Sequence, residues 1–296
     1  MQEFEYVAPT NLEDAIRLMA EKGPRAKALA GGTDILVQLR GGRFQIDRLV
    51  DIKNIPELNE LSCSATGGLT LGAAVPCCLV YEDPTIQKLY PGVVDSAFLI
   101  GGIQIQGRAT VGGNLCNAAP SGDTIPALIV QEATAIVAGP NGRRSIPVED
   151  FCAGPGRNVL QDGEILVSVN MPPPKPHSGA RFLRFIPRNE MDIAIVNSAA
   201  SVLLDDSGQR IVSGRIAIGS VAPTPVFARE ASALMAGKEA NEASIEEIAE
   251  ATKKAATPIN DMRGTIDQRI HLVGVLTKRA LRTAISRARE ENSNGR

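Results

Sequence analysis

A proline-rich run near residue 175 limits how this chain can fold. Four of the six residues from Met171 to Pro176 are prolines, which have no backbone N–H to donate to a helix or a strand ladder. Such a run favours an extended connector. With 296 residues, 44% of them hydrophobic, the chain is long enough for about two domains. We therefore predict one domain over 1–175 and a second over 176–296.

Helix and strand patterns alternate on both sides of this connector. A helix is predicted from residue 12 to 19, with Thr10 or Asn11 as its N-cap. Further helical patterns cover residues 34–39, 81–102 and the tail from Asn241. Strands are predicted over 26–30, 49–52, 69–73, 134–138, 165–169, 198–204 and 210–218. These patterns predict an α+β protein.

Two glycine pairs are the strongest chemical signal. Gly31 and Gly32 follow one predicted strand, and Gly112 and Gly113 close a second predicted strand over 108–113. A single pair is typical of a tight turn, but paired glycines also let backbone N–H groups converge without a Cβ in the way. Such a nest suits phosphate oxygens. Two nests about 80 residues apart could hold a diphosphate from both sides.

Composition excludes several other functions. The net charge is −2, and acidic and basic residues are interspersed, so we predict no nucleic-acid partner. Neither a G-x-G-x-x-G fingerprint nor a Walker loop is present, which disfavours the usual dinucleotide and nucleoside-triphosphate folds. No run of 18 apolar residues indicates a membrane span.

The cysteines favour a reducing compartment. Their number is odd and their spacing irregular, so a disulfide framework is not expected: Cys63, Cys77, Cys78, Cys116 and Cys152. The first residues show no secretory leader pattern, and we expect a cytoplasmic protein. Buried, inert thiols are expected, except that Cys116 lies in the second glycine segment.

The residues around the glycine pairs resemble a known family. Residues 30–34 and 110–115 resemble the two FAD loops of the flavin subunits of the xanthine dehydrogenase and carbon monoxide dehydrogenase family. The resemblance continues through 117–123 and through the segment 188–194, and it covers essentially the whole chain. It implies a two-part FAD-binding domain similar to that of vanillyl-alcohol oxidase relatives. A smaller C-terminal α+β domain would follow, with a three-stranded sheet and helices.

The resemblance also implies which residues bind FAD. Residues 29–35 and 110–114 would wrap the diphosphate. Ile100 and Gly101 would pass beside the isoalloxazine, and Asp123 would accept hydrogen bonds from the ribose hydroxyls. Leu166 would contact the adenine end, and Arg184 stands where some relatives carry a Lys. The complete implied set is Leu29, Ala30, Gly31, Gly32, Thr33, Asp34, Ile35, Ile100, Gly101, Thr110, Gly112, Gly113, Asn114, Cys116, Asp123, Leu166 and Arg184.

Two departures from the family pattern bear on function. Many relatives have Gln-h-Arg-Asn before the second loop, whereas this chain has Gln104-Ile105-Gln106-Gly107 and so lacks that positive charge. Some relatives that reduce aryl-CoA thioesters carry an inserted loop of clustered cysteines. No such cluster is present here, which disfavours that activity.

The resemblance implies an oxidoreductase subunit that relays electrons through FAD. A small [2Fe–2S] subunit and a large molybdopterin subunit would be its partners, commonly as a dimer of heterotrimers. Electrons would pass from the iron–sulfur clusters through FAD to an external acceptor. We predict no catalytic residue and no metal site on this chain. Two alternatives stay open: a self-contained flavin oxidase of the vanillyl-alcohol oxidase type, and a scaffold that has lost its flavin.

Overall fold

The chain begins with a small parallel sheet. A computed structural model describes residues 3–188 and 191–293. Its first elements are β1 (Glu5–Val7), α1 (Leu12–Lys22), β2 (Ala26–Leu29), α2 (Ile35–Arg40) and β3 (Arg48–Asp51). β1 and β2 both pair in parallel with β3, which forms the centre of this sheet. The side chain of Asn11 accepts the N–H of Asp14 and starts α1 where the sequence predicted.

A larger antiparallel unit follows. Its elements are β4 (Leu61–Ser64), β5 (Gly68–Gly72), α3 (Cys77–Glu82), α4 (Pro84–Leu89), α5 (Pro91–Ala97), α6 (Ile103–Gln106), α7 (Val111–Asn117), α8 (Thr124–Val130), β6 (Thr134–Gly139), β7 (Gly142–Pro147), β8 (Cys152–Gly154), β9 (Arg157–Asn158) and β10 (Ile165–Met171). Five strands form one antiparallel sheet in the order β4-β5-β10-β6-β7. The short strands β8 and β9 form a separate hairpin.

The C-terminal part is a sheet covered by helices. It consists of β11 (Ser178–Phe185), β12 (Val196–Leu204), β13 (Ile211–Gly219), β14 (Val226–Phe227), α9 (Arg229–Ala233), α10 (Glu242–Lys253) and α11 (Ile266–Ser293). Its three long strands match the expected three-stranded sheet, and the two-residue β14 adds a fourth at the edge. Within the described ranges, no helix is long and apolar enough to cross a membrane.

The C-terminal sheet is buried on both faces. The helix α11 packs against β11 and β12, while α8 from the N-terminal part packs against β12 and β13. Two layers of helix therefore exclude water from β12, and its residues read as an unbroken run of apolar and small side chains. The small residues Ser198, Ala199 and Ala200 are fully buried and let the helices approach closely.

The helical pattern predicted over residues 81–102 is interrupted. The structure divides this stretch among the end of α3, α4 and α5, and a proline stands at the first position of each of the last two. A proline cannot continue a helix but fits its first turn, where no N–H partner is needed. Asp83 caps α4 by accepting the N–H groups of Thr85 and Ile86. The helical prediction was therefore correct over most of this stretch, and the two prolines divide it into separate helices.

Asp95 joins the two parts of the chain. It lies on α5, and its carboxylate accepts hydrogen bonds from Arg181 on β11 at 2.6 Å and from Arg287 on α11 at 2.7 Å. Its side chain is 12% exposed, so water screens these ion pairs weakly. Arg287 also donates to the carbonyl oxygen of Ala180. One carboxylate thereby fixes a helix of the N-terminal part against a strand and a helix of the C-terminal part.

We expect Asp95→Asn to lower the free energy of unfolding by about 2 kcal/mol, because two partly buried guanidinium groups lose their counter-charge. Glu250→Gln is the matched control. It removes an ion pair with Lys253 in which the Glu250 side chain is 52% exposed, so its effect should stay below about 0.5 kcal/mol. Urea unfolding of both variants measures the difference, and equal effects would contradict the role given to Asp95.

Candidate functional site

The glycine segments line one pocket of about 310 Å³. The loop between β2 and α2 forms one wall, and the start of α7 forms the second. The turn of the β8–β9 hairpin and residues 160–166, which lead into β10, complete the pocket. These walls come from three distant stretches of sequence, so the pocket forms only when the small parallel sheet packs against the antiparallel unit.

The first glycine loop presents a row of free donors. Within the described part of the chain, the backbone N–H groups of Gly31, Gly32, Thr33 and Asp34 donate to no protein acceptor. Gly32 has a φ of 80°, a conformation that side chains disfavour. Four successive N–H groups without acceptors at a pocket wall form a nest of partial positive charge. Such a nest fits an anionic group, as the predicted FAD diphosphate requires.

Gly31 brings the two glycine segments together. A Cβ at this position would overlap the carbonyl oxygen of Arg108, which leaves no room for any other residue. The backbone of the first loop therefore lies directly against the segment that leads into α7. The predicted convergence of the two segments on one pocket is consistent with this contact.

The sequence predicted that the second glycine pair closes a strand, and this prediction was wrong. Thr110 makes only an isolated bridge to Pro76 and then caps α7 by accepting the N–H of Gly113 through its hydroxyl. Gly112 and Gly113 thus occupy the first helical turn. The prediction failed because a threonine with extended backbone followed by glycines is also a helix N-cap, and the helix supplied the hydrogen bonds.

Gly112 is required for packing. A Cβ there would lie 2.6 Å from the Cα of Ala73, on the loop after β5. At Gly113 a Cβ would meet only the hydroxyl of Thr110, at 2.9 Å. Of the two glycines, Gly113 is therefore the one whose side of the helix turn is left open by the protein.

Thirteen of the seventeen predicted FAD-binding residues line the pocket: Ala30, Gly31, Gly32, Thr33, Asp34, Ile35, Ile100, Thr110, Gly112, Gly113, Asn114, Cys116 and Leu166. Leu29, Gly101, Asp123 and Arg184 do not line it. Leu29 is buried behind the first loop, and Gly101, with a φ of 55°, follows the pocket residue Ile100. The structure therefore brings most of the predicted residues together in one pocket, and it places Asp123 and Arg184 outside that pocket.

Asp123 and Arg184 form a buried ion pair. The Arg184 guanidinium donates to Asp123 Oδ2, and each side chain is about one-tenth exposed or less. Asp123 Oδ1 and Arg184 Nε have no hydrogen-bond partner within the described residues. Burial raises the pKa of Asp123 from 3.8 to about 6, against the opposing charge and hydrogen bond of Arg184.

Several pocket residues were missed in the sequence. Gln38 on α2 donates to the Asn117 side chain at 2.9 Å and so ties the two walls together. Asn158 on β9 donates to the carbonyl oxygen of Cys116. Lys27 and Arg43 also line the pocket. Single polar residues at irregular spacing gave no pattern that could have identified them.

The Cys116 thiol is kept in its neutral form. Desolvation, with a smaller contribution from Cys152, raises its pKa to about 12. The thiol lines the pocket as a small, weakly polar group, and it is not a thiolate at neutral pH. Within the described ranges, no group of three or more His, Cys, Asp or Glu side chains could hold a metal ion.

The departure at Gln106 has a structural role. Its side-chain amide is buried and donates to the carbonyl oxygens of Phe98 at 2.7 Å and Ile100 at 3.3 Å. It therefore fixes the segment that carries Ile100 into the pocket. Of the family-like segment 188–194, residues 189–190 lie outside the described residues. Met191 donates its N–H to the carbonyl oxygen of Gly101, which places the remainder beside this segment.

Comparisons with known proteins show the family of this chain. A family described as the FAD binding domain in molybdopterin dehydrogenase matches residues 2–174, and the CO dehydrogenase flavoprotein C-terminal domain matches residues 181–284. The chain is 34% identical to a putative xanthine dehydrogenase FAD-binding subunit of Escherichia coli strain K12, over 96% of each chain. It is 30% identical to the carbon monoxide dehydrogenase medium chain of Hydrogenophaga pseudoflava, over 96% of this chain and 98% of the relative.

Solved structures show the same fold. Carbon monoxide dehydrogenase from Hydrogenophaga pseudoflava, in a form that lacks the Mo-pyranopterin moiety, contains a chain with a TM-score of 0.92 and 30% identity. The match covers 97% of this chain and 98% of that chain. Quinoline 2-oxidoreductase from Pseudomonas putida contains a chain with a TM-score of 0.89 and 31% identity, at the same coverage.

The titration of Asp123 gives a test of the buried pair. A carboxyl whose pKa is raised on folding binds its proton more tightly in the folded chain, so it favours folding most below about pH 4. This contribution is lost as pH rises through about 6. We therefore expect the stability of the wild type, relative to Asp123→Asn, to fall by about 2–3 kcal/mol between pH 4 and 7. Urea unfolding at several pH values measures this slope, and parallel curves would contradict it.

Proposed function

Because the chain belongs to the FAD-binding subunits of the molybdenum hydroxylase family, we propose that it is the electron-relay subunit of such a complex. Substrate would be oxidised on a partner that holds the molybdopterin cofactor. Electrons would arrive through the iron–sulfur clusters of a partner and leave for an external acceptor. The relatives are named as xanthine, carbon monoxide and caffeine dehydrogenases, so similar FAD subunits occur with different substrates. The partner subunit would therefore determine which substrate is oxidised.

One observation carries the cofactor assignment: residues 31–34, whose N–H groups have no acceptor among the described residues, line the same pocket as Gly113. Backbone donors without protein acceptors are costly to bury unless something accepts them. A diphosphate supplies several oxygens with negative charge, and charge-assisted hydrogen bonds to it are about twice as strong as neutral ones. The pocket is thereby adapted to the charged middle of FAD.

The chain's own residues would bind and orient the cofactor. We propose that the thirteen pocket residues hold it directly, while Leu29 and Gly101 shape the backbone beside them. Asp123 and Arg184 lie outside the pocket, and the family resemblance alone supports a contact of this pair with the cofactor. When bound, FAD supplies one- and two-electron redox chemistry that no side chain can provide. We assign residues 1–175 to the FAD-binding domain and residues 176–296 to the C-terminal domain.

The proposed complex contains a small iron–sulfur subunit and a large molybdopterin subunit, assembled as a dimer of heterotrimers. The carbon monoxide dehydrogenase relatives carry the name medium chain, which supports a place among other subunits. A self-contained flavin oxidase would need acid–base groups above the flavin. Neither of the two histidines, His177 and His271, lines the pocket.

Gly113→Ala tests the pocket. The added methyl group meets only the Thr110 hydroxyl within the protein, so the variant should fold with a loss of about 1 kcal/mol from the weakened cap. Crowding of the second segment should weaken FAD binding by about 10- to 100-fold. Gly107→Ala is the control, because a Cβ there meets nothing within 4 Å. Flavin fluorescence titration measures both, and unchanged FAD affinity in Gly113→Ala would refute the assignment of this segment.

A reductive titration tests the relay. Dithionite should bleach the flavin absorbance of the isolated chain, whereas aldehydes, purines and N-heterocycles should not, because their oxidation needs the molybdopterin partner. Adding the co-purified partner subunits should restore bleaching by the substrate of the complex. Rapid bleaching by a substrate without any partner would instead establish the self-contained oxidase. A purified chain that takes up no FAD would indicate a scaffold.

A further inference from the structure

Two positive side chains line the pocket and form no salt bridge within the described ranges. Lys27 on β2 and Arg43, in the segment after α2, are the cations among the described lining residues. Neither the ammonium group nor the guanidinium group forms a hydrogen bond or salt bridge within the described ranges. Both lie about one side chain, Phe44, with Lys27 Nζ and Arg43 Cζ each 5.5 Å from its ring centroid. Attraction to the ring face holds both charges at the pocket wall.

The end of α2 fixes the position of Arg43. The N–H of Arg43 donates to the carbonyl oxygen of Gln38, and the N–H of Gly42 donates to that of Leu39. Gly42 has a φ of 71°, so the chain turns back at this residue, as it does at many helix C-termini. After this reversal, Arg43 lies among the residues that line the pocket.

The guanidinium of Arg43 lies against the turn of the β8–β9 hairpin. Its Nη2 lies so close to Gly156, at the turn of the β8–β9 hairpin, that a Cβ there would overlap it. Gly156 in turn donates its N–H to the carbonyl oxygen of Ala118, at the end of α7. Arg43 therefore connects the end of α2 with the β8–β9 turn, which is hydrogen-bonded to the end of α7.

The electrostatics favour an anionic ligand beneath this side chain. Asp34 lines the same wall and would repel a phosphate. Desolvation raises the pKa of Asp34, and the charge of Arg43 lowers it, which shows that the field of the guanidinium reaches the glycine loop. Two further carboxylates line the pocket, Asp162 and Glu164, and Glu164 is paired with Arg144. A diphosphate therefore needs a positive group near Asp34, and Arg43 provides one with two parallel donors.

We propose that Arg43 is a phosphate-binding residue of this site, which pairs with the diphosphate of FAD and joins the two walls of the pocket. Lys27 supplies a second positive charge on the β2 wall. The inference rests on the proposed function, because it requires the cofactor to occupy this pocket. It adds a side-chain contribution to a site that otherwise binds the anion through backbone N–H groups.

Three ligands separate a phosphate contact from a general effect on the pocket. FAD carries the diphosphate and the flavin, ADP carries the diphosphate alone, and riboflavin carries neither phosphate nor adenine. We expect Arg43→Gln to weaken FAD and ADP binding by about 10- to 100-fold and riboflavin binding by less than about twofold. Arg43→Lys should retain part of the affinity, because it keeps the charge and loses the fork. Flavin fluorescence and calorimetry of the cofactor-free chain measure these constants.

Arg40→Gln is the matched control. Arg40 is an exposed cation three residues away at the end of α2, and it does not line the pocket. The Arg40→Gln variant should bind FAD, ADP and riboflavin with the same affinity as the wild type. The affinity of the wild type for FAD should also fall with added salt more steeply than that of Arg43→Gln, since one ionic contact is missing in the variant.

Two results would overturn the inference alone: wild-type affinity for FAD in Arg43→Gln, or an equal loss of FAD and riboflavin binding, which would make Arg43 a structural residue of the pocket. A wild-type chain that binds no FAD would overturn the proposed function and this inference together. Because Arg43 is exposed, its substitution should leave the free energy of unfolding of the cofactor-free chain unchanged.

Discussion

The contact between Gly31 and the backbone of Arg108 determines the rest of this site. Two main-chain segments touch here with no side chain between them: the loop after β2 and the turn between α6 and α7. Only glycine permits such an approach. Because the first loop is pressed against the segment before α7, residues 31–34 and the first turn of α7 line one pocket. A larger residue at position 31 would separate the two walls, and the pocket between them would lose its shape.

Much of the fold was predictable from the sequence because its signals are local. The N-cap at Asn11 and the helical spacing of the C-terminal tail each depend on neighbouring residues. The glycine segments were predicted as nests on the same basis, and the resemblance to a family placed them in one site. The proline connector was recognisable because four prolines exclude regular structure regardless of context.

The errors arose where tertiary structure selects between two local possibilities. Residues 108–113 have the apolar and β-branched character of a strand, but Thr110 caps a helix instead. The stretch 81–102 has a helical period, and Pro84 and Pro91 divide it into separate helices. Arg43 carried no recognisable pattern, because its position depends on how α2 ends and on a hairpin more than 100 residues later. No local rule contains that information.

The pocket walls are drawn from residues 23–44, 100–117 and 156–166, so the pocket exists only in the folded chain. A ligand that binds the folded chain and not the unfolded one shifts the folding equilibrium by mass action, by about 2.7 kcal/mol at a hundredfold excess over its dissociation constant. Flavin supply thereby becomes a control on the lifetime of the polypeptide. Chains made when flavin is scarce would open more often and be degraded sooner, so cofactor availability would set how much of this subunit accumulates for assembly.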